Sequence, residues 1–253
     1  MSQKITYNSV DFQDTNIITK DLSHENGDNR DVNYQRLGRN GAKIVDDNFD
    51  VKVIKLSGVI KDTTKDLLDA RIDSLKKSLL SVTEKDLDIA YSSGTRRYVA
   101  TCTRFIANRE YYHIDTIPFE AEFLVGNPFG KNIDTTTVED LAITTGTQDS
   151  FFFYGSIQPL PKIKLTINSE TNFTAFQFQN LTTKDTITIT EDLIAGDIII
   201  IDCDQLSITK NGVEIDYTGV FPEFENGWND FYIWFTADTY NVDLKIIYYQ
   251  LWV

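Results

Sequence analysis

Apolar and polar residues alternate along Val51-Lys52-Val53-Ile54-Lys55-Leu56, the signature of a strand with one buried face, and Gly58 stands near its end. Asp62-Thr63-Thr64 then offers residues that cap helices well. Beyond them Leu68, Ile72, Leu75 and Leu79 recur at spacings of four, three and four, which draws an apolar stripe down one helical face. Asp66, Asp69, Asp73, Lys76 and Lys77 fall mostly off that stripe, acids early and bases late, as the helix dipole prefers. Three strand-like runs follow, Asp86 to Tyr91, Arg96 to Phe105 and Ile117 to Val125. One short helix cannot cover two faces of a sheet, so the pattern predicts a small β-rich domain with a helix packed on it.

The remaining pattern extends in both directions. Ile5, Tyr7, Phe12 and Ile17-Ile18 suit one or two short strands. The stretch from Asp21 to Asp47 is long and hydrophilic, with Gly27, Gly38 and Gly41 as punctuation, and reads as a loop; loops of such length in compact domains are commonly functional or mobile. Asn127 to Gln148, with its threonine runs and its Pro128 and Gly130, reads as a linker. Strand-sized runs then follow at Phe151–Tyr154, Pro161–Ile167, Ala175–Gln179, Thr186–Thr190, Asp197–Asp202, Leu206–Lys210, Asp230–Phe235 and Val242–Trp252. Lys210-Asn211-Gly212-Val213 is an Asn-Gly hairpin signal. Eight short strands without a convincing helix predict a β-sandwich, and pattern alone does not separate a jelly roll from an immunoglobulin-like arrangement.

Charge divides the chain. Up to Gly130 there are 18 basic and 20 acidic residues; from Lys131 onward there are 6 lysines, no arginine and 18 acids. All eight arginines lie between Arg30 and Arg109. Such a break predicts two domains, 1–130 and 131–253, with different surfaces and partners. The acidic second half is a poor nucleic-acid surface, because DNA affinity comes largely from cations neutralising phosphates. No apolar run approaches the ~20 residues of a membrane-spanning helix, and the first residues carry no apolar signal segment. The sequons at Asn172 and Asn180 are accordingly expected to be unmodified, and Cys102 and Cys203 to be buried free thiols.

These elements, in this order, carry a resemblance. Gly38-Arg39-Asn40-Gly41-Ala42-Lys43, then Val53 to Ile60, the helix, Gly94-Thr95-Arg96-Arg97-Tyr98, Phe119-Glu120-Ala121-Glu122-Phe123 and Asn127-Pro128-Phe129-Gly130 resemble the N-terminal domain of siphophage distal tail proteins. The resemblance continues through Gly196-Asp197-Ile198-Ile199-Ile200, Lys210-Asn211-Gly212, Phe221-Pro222 and Gly227-Trp228-Asn229. It implies a mainly β chain, with a ring-forming N-terminal domain related to tail-tube proteins and a galectin-like jelly roll behind it. It also implies a subunit-contact arm in the Asp21–Asp47 stretch. The function implied is that of a structural hub: a homo-oligomeric, hexameric ring in the virion tail tip, bound to the tail tube protein and to the tail-associated fibre or lysin protein. A receptor-binding protein would dock on the outer domain, and DNA would pass through without specific binding.

Candidate chemistry is sparse. The two histidines, His24 and His113, are too few and too far apart to suggest a metal site, and no phosphate-binding glycine loop occurs. Glu120 and Glu122 share one side of a strand, as a glycosidase pair might, but Phe119, Ala121 and Phe123 define the buried side and turn both glutamates to water. Asp202-Cys203-Asp204 is read as a solvated strand end rather than a calcium site. No catalytic residue, cofactor or metal is therefore expected. Arg36, Arg39, Arg96 and Arg97 are the candidate ring contacts, arginine being favoured at interfaces. The alternative function is carbohydrate binding, resting on Trp228 in an expected loop beside Asn226, Asn229 and Asp230, with Trp228 and Asn229 as the glycan contacts.

Overall fold

The structure is a computed structural model that describes residues 3–25, 30–36, 42–108 and 115–253; side chains are described outside 30–48 and 139–142. The described residues form almost entirely antiparallel β-structure with one helix, and the chain divides into two compact units, Met1–Lys131 with Val253, and Asn132–Trp252.

In the first unit the strands are β1 (Ile5–Tyr7), β2 (Val10–Asp11), β3 (Ile17–Glu25), β4 (Arg30–Arg36), β5 (Ala42–Phe49) and β6 (Lys52–Lys61). The helix α1 (Lys65–Leu79) precedes β7 (Lys85–Tyr91), β8 (Gly94–Ile106) and β9 (Thr116–Val125). Seven of the strands pair in the order β2-β1-β7-β8-β9-β6-β3. Strand β6 alternates buried and half-buried positions along nearly its whole length, which fixes its register, since a one-residue slip would turn Ile54, Leu56 and Ile60 outward. Gly58 is required on β6. A Cβ there would lie 2.1 Å from the Ile18 carbonyl oxygen and 2.8 Å from the Phe119 ring, where β3 is bulged between Thr19 and Asp21.

Helix α1 begins at Thr64, whose extended backbone and Oγ1, accepting from the Leu67 N–H at 3.3 Å, supply the cap. Asp62 receives the Arg71 Nε–H at 2.8 Å and ties the approach to the first turns. That guanidinium, with the Thr63 amide, holds the Asp62 carboxyl below its ordinary pKa. Leu68, Ile72, Leu75 and Leu79 are all buried, in the same core as Ile5, Leu87, Tyr98 and Phe123. Each such side chain stabilises the unit by about 1.5–3 kcal/mol.

The second unit holds β10 (Gly130–Ile143), which starts just before the boundary, then β11 (Thr147–Phe153), β12 (Lys162–Thr171), β13 (Ala175–Asn180) and β14 (Thr186–Ile189). They are followed by β15 (Ile198–Asp202), β16 (Ser207–Lys210), β17 (Val213–Glu214), β18 (Thr218–Gly219), β19 (Gly227–Thr236) and β20 (Thr239–Trp252). The order β17-β16-β15-β12-β20-β10 makes one layer, and β11-β19-β13-β14-β18 the other. Between them lies a core of Phe151, Phe153, Phe176, Phe178, Phe224, Phe231 and Phe235 among isoleucines and leucines. Asn211 and Gly212, at φ +52° and +82°, join β16 to β17 in the expected Asn-Gly turn.

Two expectations are corrected. The Asp21–Asp47 stretch is not a loop: β3 continues to Glu25, and β4 pairs with β5 as a hairpin with a bulge between Asn33 and Tyr34. Residues 26–29 and 37–41 of that stretch lie outside the described residues. Its polar composition hid it, because a hairpin satisfies its backbone through ladder hydrogen bonds without needing a buried face. Nor is Asn127–Gln148 a linker. Most of it is the 14-residue β10, and β11 starts at Thr147. Lys131, Asp134, Thr135 and Thr137 are exposed on β10, so it shows little alternation.

Candidate functional site

Arg96 and Arg97 are neighbours on β8 and so project to opposite faces of the sheet. Arg97 sits directly across from Asp88 of β7 and grips it with two bonds, Nε to Oδ1 at 2.7 Å and Nη2 to Oδ2 at 2.8 Å, while Nη1 lies 3.1 Å from Asp86. This fork-to-fork pairing fixes the guanidinium at a half-exposed position, within reach of a neighbour but already neutralised. The Arg96 guanidinium carbon lies 4.4 Å from the centre of the Tyr91 ring, a cation–π stack. The Tyr91 hydroxyl is in turn 2.9 Å from His24 Nε2. Arg36 closes β4, where side chains are not described, and Arg39 lies outside the described residues. Of the four candidate arginines, the two whose side chains are described thus project to opposite faces of the sheet.

The solvent side of β3, β6 and β9 forms a charged shelf. Lys55 lies opposite Glu122 on β9 and bonds Glu25 of β3; Arg104 of β8 also lies opposite Glu122, and Ser57 opposite Glu120. Asp21, Ser23, Lys55, Arg104, Glu120 and Glu122 line a shallow depression of about 280 Å³. Bonding to Glu25 raises the Lys55 pKa. Phe119, Ala121 and Phe123 are buried, so both glutamates do face solvent, and Glu122 lies across from Lys55 and Arg104 there.

Acidic side chains of the second unit serve turns. Asp202 takes Lys162 at 2.7 Å and the amides of Asp204 and Gln205. Burial pushes its carboxyl up, but those donors outweigh burial and hold it below the ordinary range. Among the described residues no group of three or more His, Cys, Asp or Glu side chains is placed to hold a metal ion. Cys102 and Cys203 are buried free thiols, their pKa values raised by burial to about 11 and about 12.

Trp228 and Asn229 part company. Trp228 belongs to strand β19 rather than a loop; it is 67% exposed, directly opposite Phe152 of β11, with ring centres 5.6 Å apart and nearly perpendicular. Tyr154 packs on Phe152 at 4.7 Å, so the three rings brace one another. Asn229 points inward and is fully buried, which removes it as a glycan contact. Its Oδ1 accepts from the Glu225 N–H at 3.0 Å, and its Nδ2 donates to the carbonyls of Glu225 at 2.7 Å and Gly227 at 3.3 Å. It clamps the turn before Trp228, where Gly227 takes φ +104°. Asn180 donates to the Glu223 carbonyl beside it. Sequence reading missed the other rings of this face, the exposed Phe152 and Trp234 and the half-buried Tyr232, although the two-residue spacing of Tyr232 and Trp234 was a readable signal.

Comparison with known proteins places this architecture. Residues 154–252 match the family described as "Siphovirus-type tail component, C-terminal domain". The crystal structure of the SPP1 Dit protein, described as a paradigm of the hub adsorption apparatus in phages infecting Gram-positive bacteria, shares the fold over 100% of both chains, with a TM-score of 0.77 at 12% identity. A chain of the phage P2 baseplate in its activated conformation with Ca is more remote, at TM-score 0.44 and 9% identity over 98% of both chains, too distant to bear on the reading. No curated protein matches the chain in sequence. The second unit is thus similar to a siphovirus-type tail-component domain, and the chain as a whole shares the fold of the SPP1 protein.

Proposed function

We propose that this chain is the distal tail protein of a long-tailed phage or tail-like particle, a non-enzymatic hub that joins the tail tube to the tail tip. The observation that carries this is the shared fold with the SPP1 hub protein along the entire chain, beside an independent family match confined to the second unit. In this reading six copies close into a ring at the virion tail tip through the first unit. The tail tube protein sits on one side and the tail-associated fibre or lysin protein on the other. The second unit faces outward as the platform for a receptor-binding protein.

The charge split supports that division of labour. A head-to-tail ring brings the same unit of each copy against its neighbour, and the unit with all eight arginines is close to neutral. Six strongly acidic units packed side by side would repel one another. The same acidity lets DNA pass the opening without being gripped, so retention of duplex DNA at physiological salt would contradict the assignment.

The test is sedimentation of the full chain and of two fragments, 1–131 and 132–253, at matched salt. The full chain and the first fragment should assemble, and the second should be a soluble monomer. A monomeric full chain removes the ring. Assembly through 132–253 alone reverses the roles of the two units.

A further inference from the structure

The outward face of the β11-β19-β13-β14 layer is chemically unlike the rest of its unit. Trp228, Tyr232 and Trp234 stand along β19, Phe152 lies opposite Trp228, and Gln177 and Gln179 of β13 lie opposite Trp234 and Tyr232. Trp228 is 67% and Trp234 44% exposed. The remaining outward positions of these four strands are small or hydroxylated apart from Gln148 and Asp230, and Asp230 is their single charged side chain among the described residues. In a unit otherwise crowded with carboxylates this is a nearly neutral strip of rings and amides.

We propose that this strip binds neutral glycan chains, and that the chain therefore contacts surface saccharide directly. The inference stands on this face alone and does not depend on the ring assembly. A pyranose presents a patch of C–H groups on one side and hydroxyls around its rim. The C–H patch suits an aromatic face, whose π-cloud is electron-rich. The hydroxyls need partners that both donate and accept, which is what a glutamine amide provides. Register puts that pair together twice: cross-strand neighbours stand ~5 Å apart, so a sugar on Trp234 reaches Gln177 and one on Tyr232 reaches Gln179. Gln177 is held in place by donating to Thr188 Oγ1 at 3.3 Å. Trp228 and Trp234 are six residues apart on one strand, ~20 Å at the rise of a β-strand, so the strip suits a chain of several sugars rather than a monosaccharide.

The braced rings add pre-organisation. Phe152 and Tyr154 pack against one another and Phe152 against Trp228, while the Asn229 clamp fixes the backbone beneath, so little side-chain freedom is lost on binding. The absence of any Lys or Arg at these outward positions argues against nucleic acid and against anionic polymers, which need cations.

The experiment uses the full-length protein on an array of immobilised oligosaccharides, neutral hexose and N-acetylhexosamine oligomers beside polyuronates and phosphodiester-linked polymers. Hits are titrated by isothermal titration calorimetry, which reads the parent and the tryptophan variants alike. Longer neutral oligomers should bind. The W228A/W234A double variant should weaken binding at least tenfold, Gln177→Ala several-fold, and Leu206→Ala, at an exposed apolar position elsewhere in the unit, should change nothing. Sedimentation of the double variant should match the parent, so loss of glycan binding is read separately from loss of assembly. Failure of every neutral oligomer to bind, preference for the anionic polymers, or unchanged affinity in the double variant overturns the proposal. So does protection of Trp228 and Trp234 from acrylamide quenching on assembly, which would make the strip a protein interface.

Discussion

Replacing Leu68 by Ala tests whether the helix of the first unit is held by its stripe. Leu68 has no exposed surface, whereas its neighbour Leu67 is 51% exposed. Truncation removes about three carbons' worth of burial, ~2.4 kcal/mol at ~0.8 per methylene. The cavity left behind adds to this, and buried Leu→Ala changes span about 2.7–5.0 kcal/mol. A loss of about 3 kcal/mol is expected, which at a urea dependence of ~2 kcal/mol/M lowers the midpoint by ~1.5 M. Leu67→Ala, one position along with similar helix propensity, should cost no more than ~0.5 kcal/mol. The chain supplies its own control. Trp228, Trp234 and Trp252 all belong to the second unit, and the two units have separate cores. Far-UV circular dichroism in urea should therefore show the Leu68→Ala loss, while the tryptophan fluorescence midpoint stays near that of the parent. Equal effects of the two substitutions, or a Leu68→Ala loss under ~0.5 kcal/mol, would refute the packing argument. An equal shift of the fluorescence midpoint would show that the cores unfold as one.

Asn229→Ala should destabilise the second unit by about 1–3 kcal/mol, since it removes a fully buried amide and its bonds to the Glu225 N–H and two carbonyls; an unchanged fluorescence midpoint in urea would contradict the clamp. Asp197, like Asp202, is held below its ordinary pKa: burial raises it, but the Ile194 amide, Asn211 and Lys210 outweigh burial. Folded values lower than unfolded ones near ~3.9 mean that this stabilisation is complete above that range and is lost as pH falls through the folded values. The fluorescence-detected melting temperature should accordingly drop below about pH 4, less steeply in Asp202→Asn, and a parent that melts at the same temperature at pH 3 and pH 7 contradicts this. Glu120→Gln with Glu122→Gln should leave sedimentation and melting close to the parent, because both side chains face solvent on the charged shelf; loss of assembly would give the shelf a role in subunit contact.

The elements legible in sequence were those with one wet and one dry side. The Leu68–Leu79 stripe and the alternation of β6 and β9 state which residues face the core, and burial follows them. Strand β10 was not legible, because a strand exposed along much of its length leaves no period, and the polar sequence of the β4–β5 hairpin shows none; β-branched Thr135-Thr136-Thr137 was a local hint for β10. Trp228 and Asn229 show a second limit. A loop assignment treats adjacent residues alike, whereas a strand sends one to water and the next to the interior. The pairing of Phe152 with Trp228 depends on register between residues 76 positions apart, which no local pattern contains.

The two buried thiols are poorly placed to react to the redox state of their surroundings. With pKa values near 11 and 12, only ~1 in 10⁴ or fewer of the thiols are ionised at neutral pH, and the thiolate is the form that attacks disulfides and peroxides. Each is also walled off, at 4% and 5% exposure, in its own core. A tail hub of the kind proposed above would be made in a reducing cell interior and used after release into air-saturated surroundings. Neither thiol has to be oxidised for its core to pack, and neither is readily oxidised where it lies.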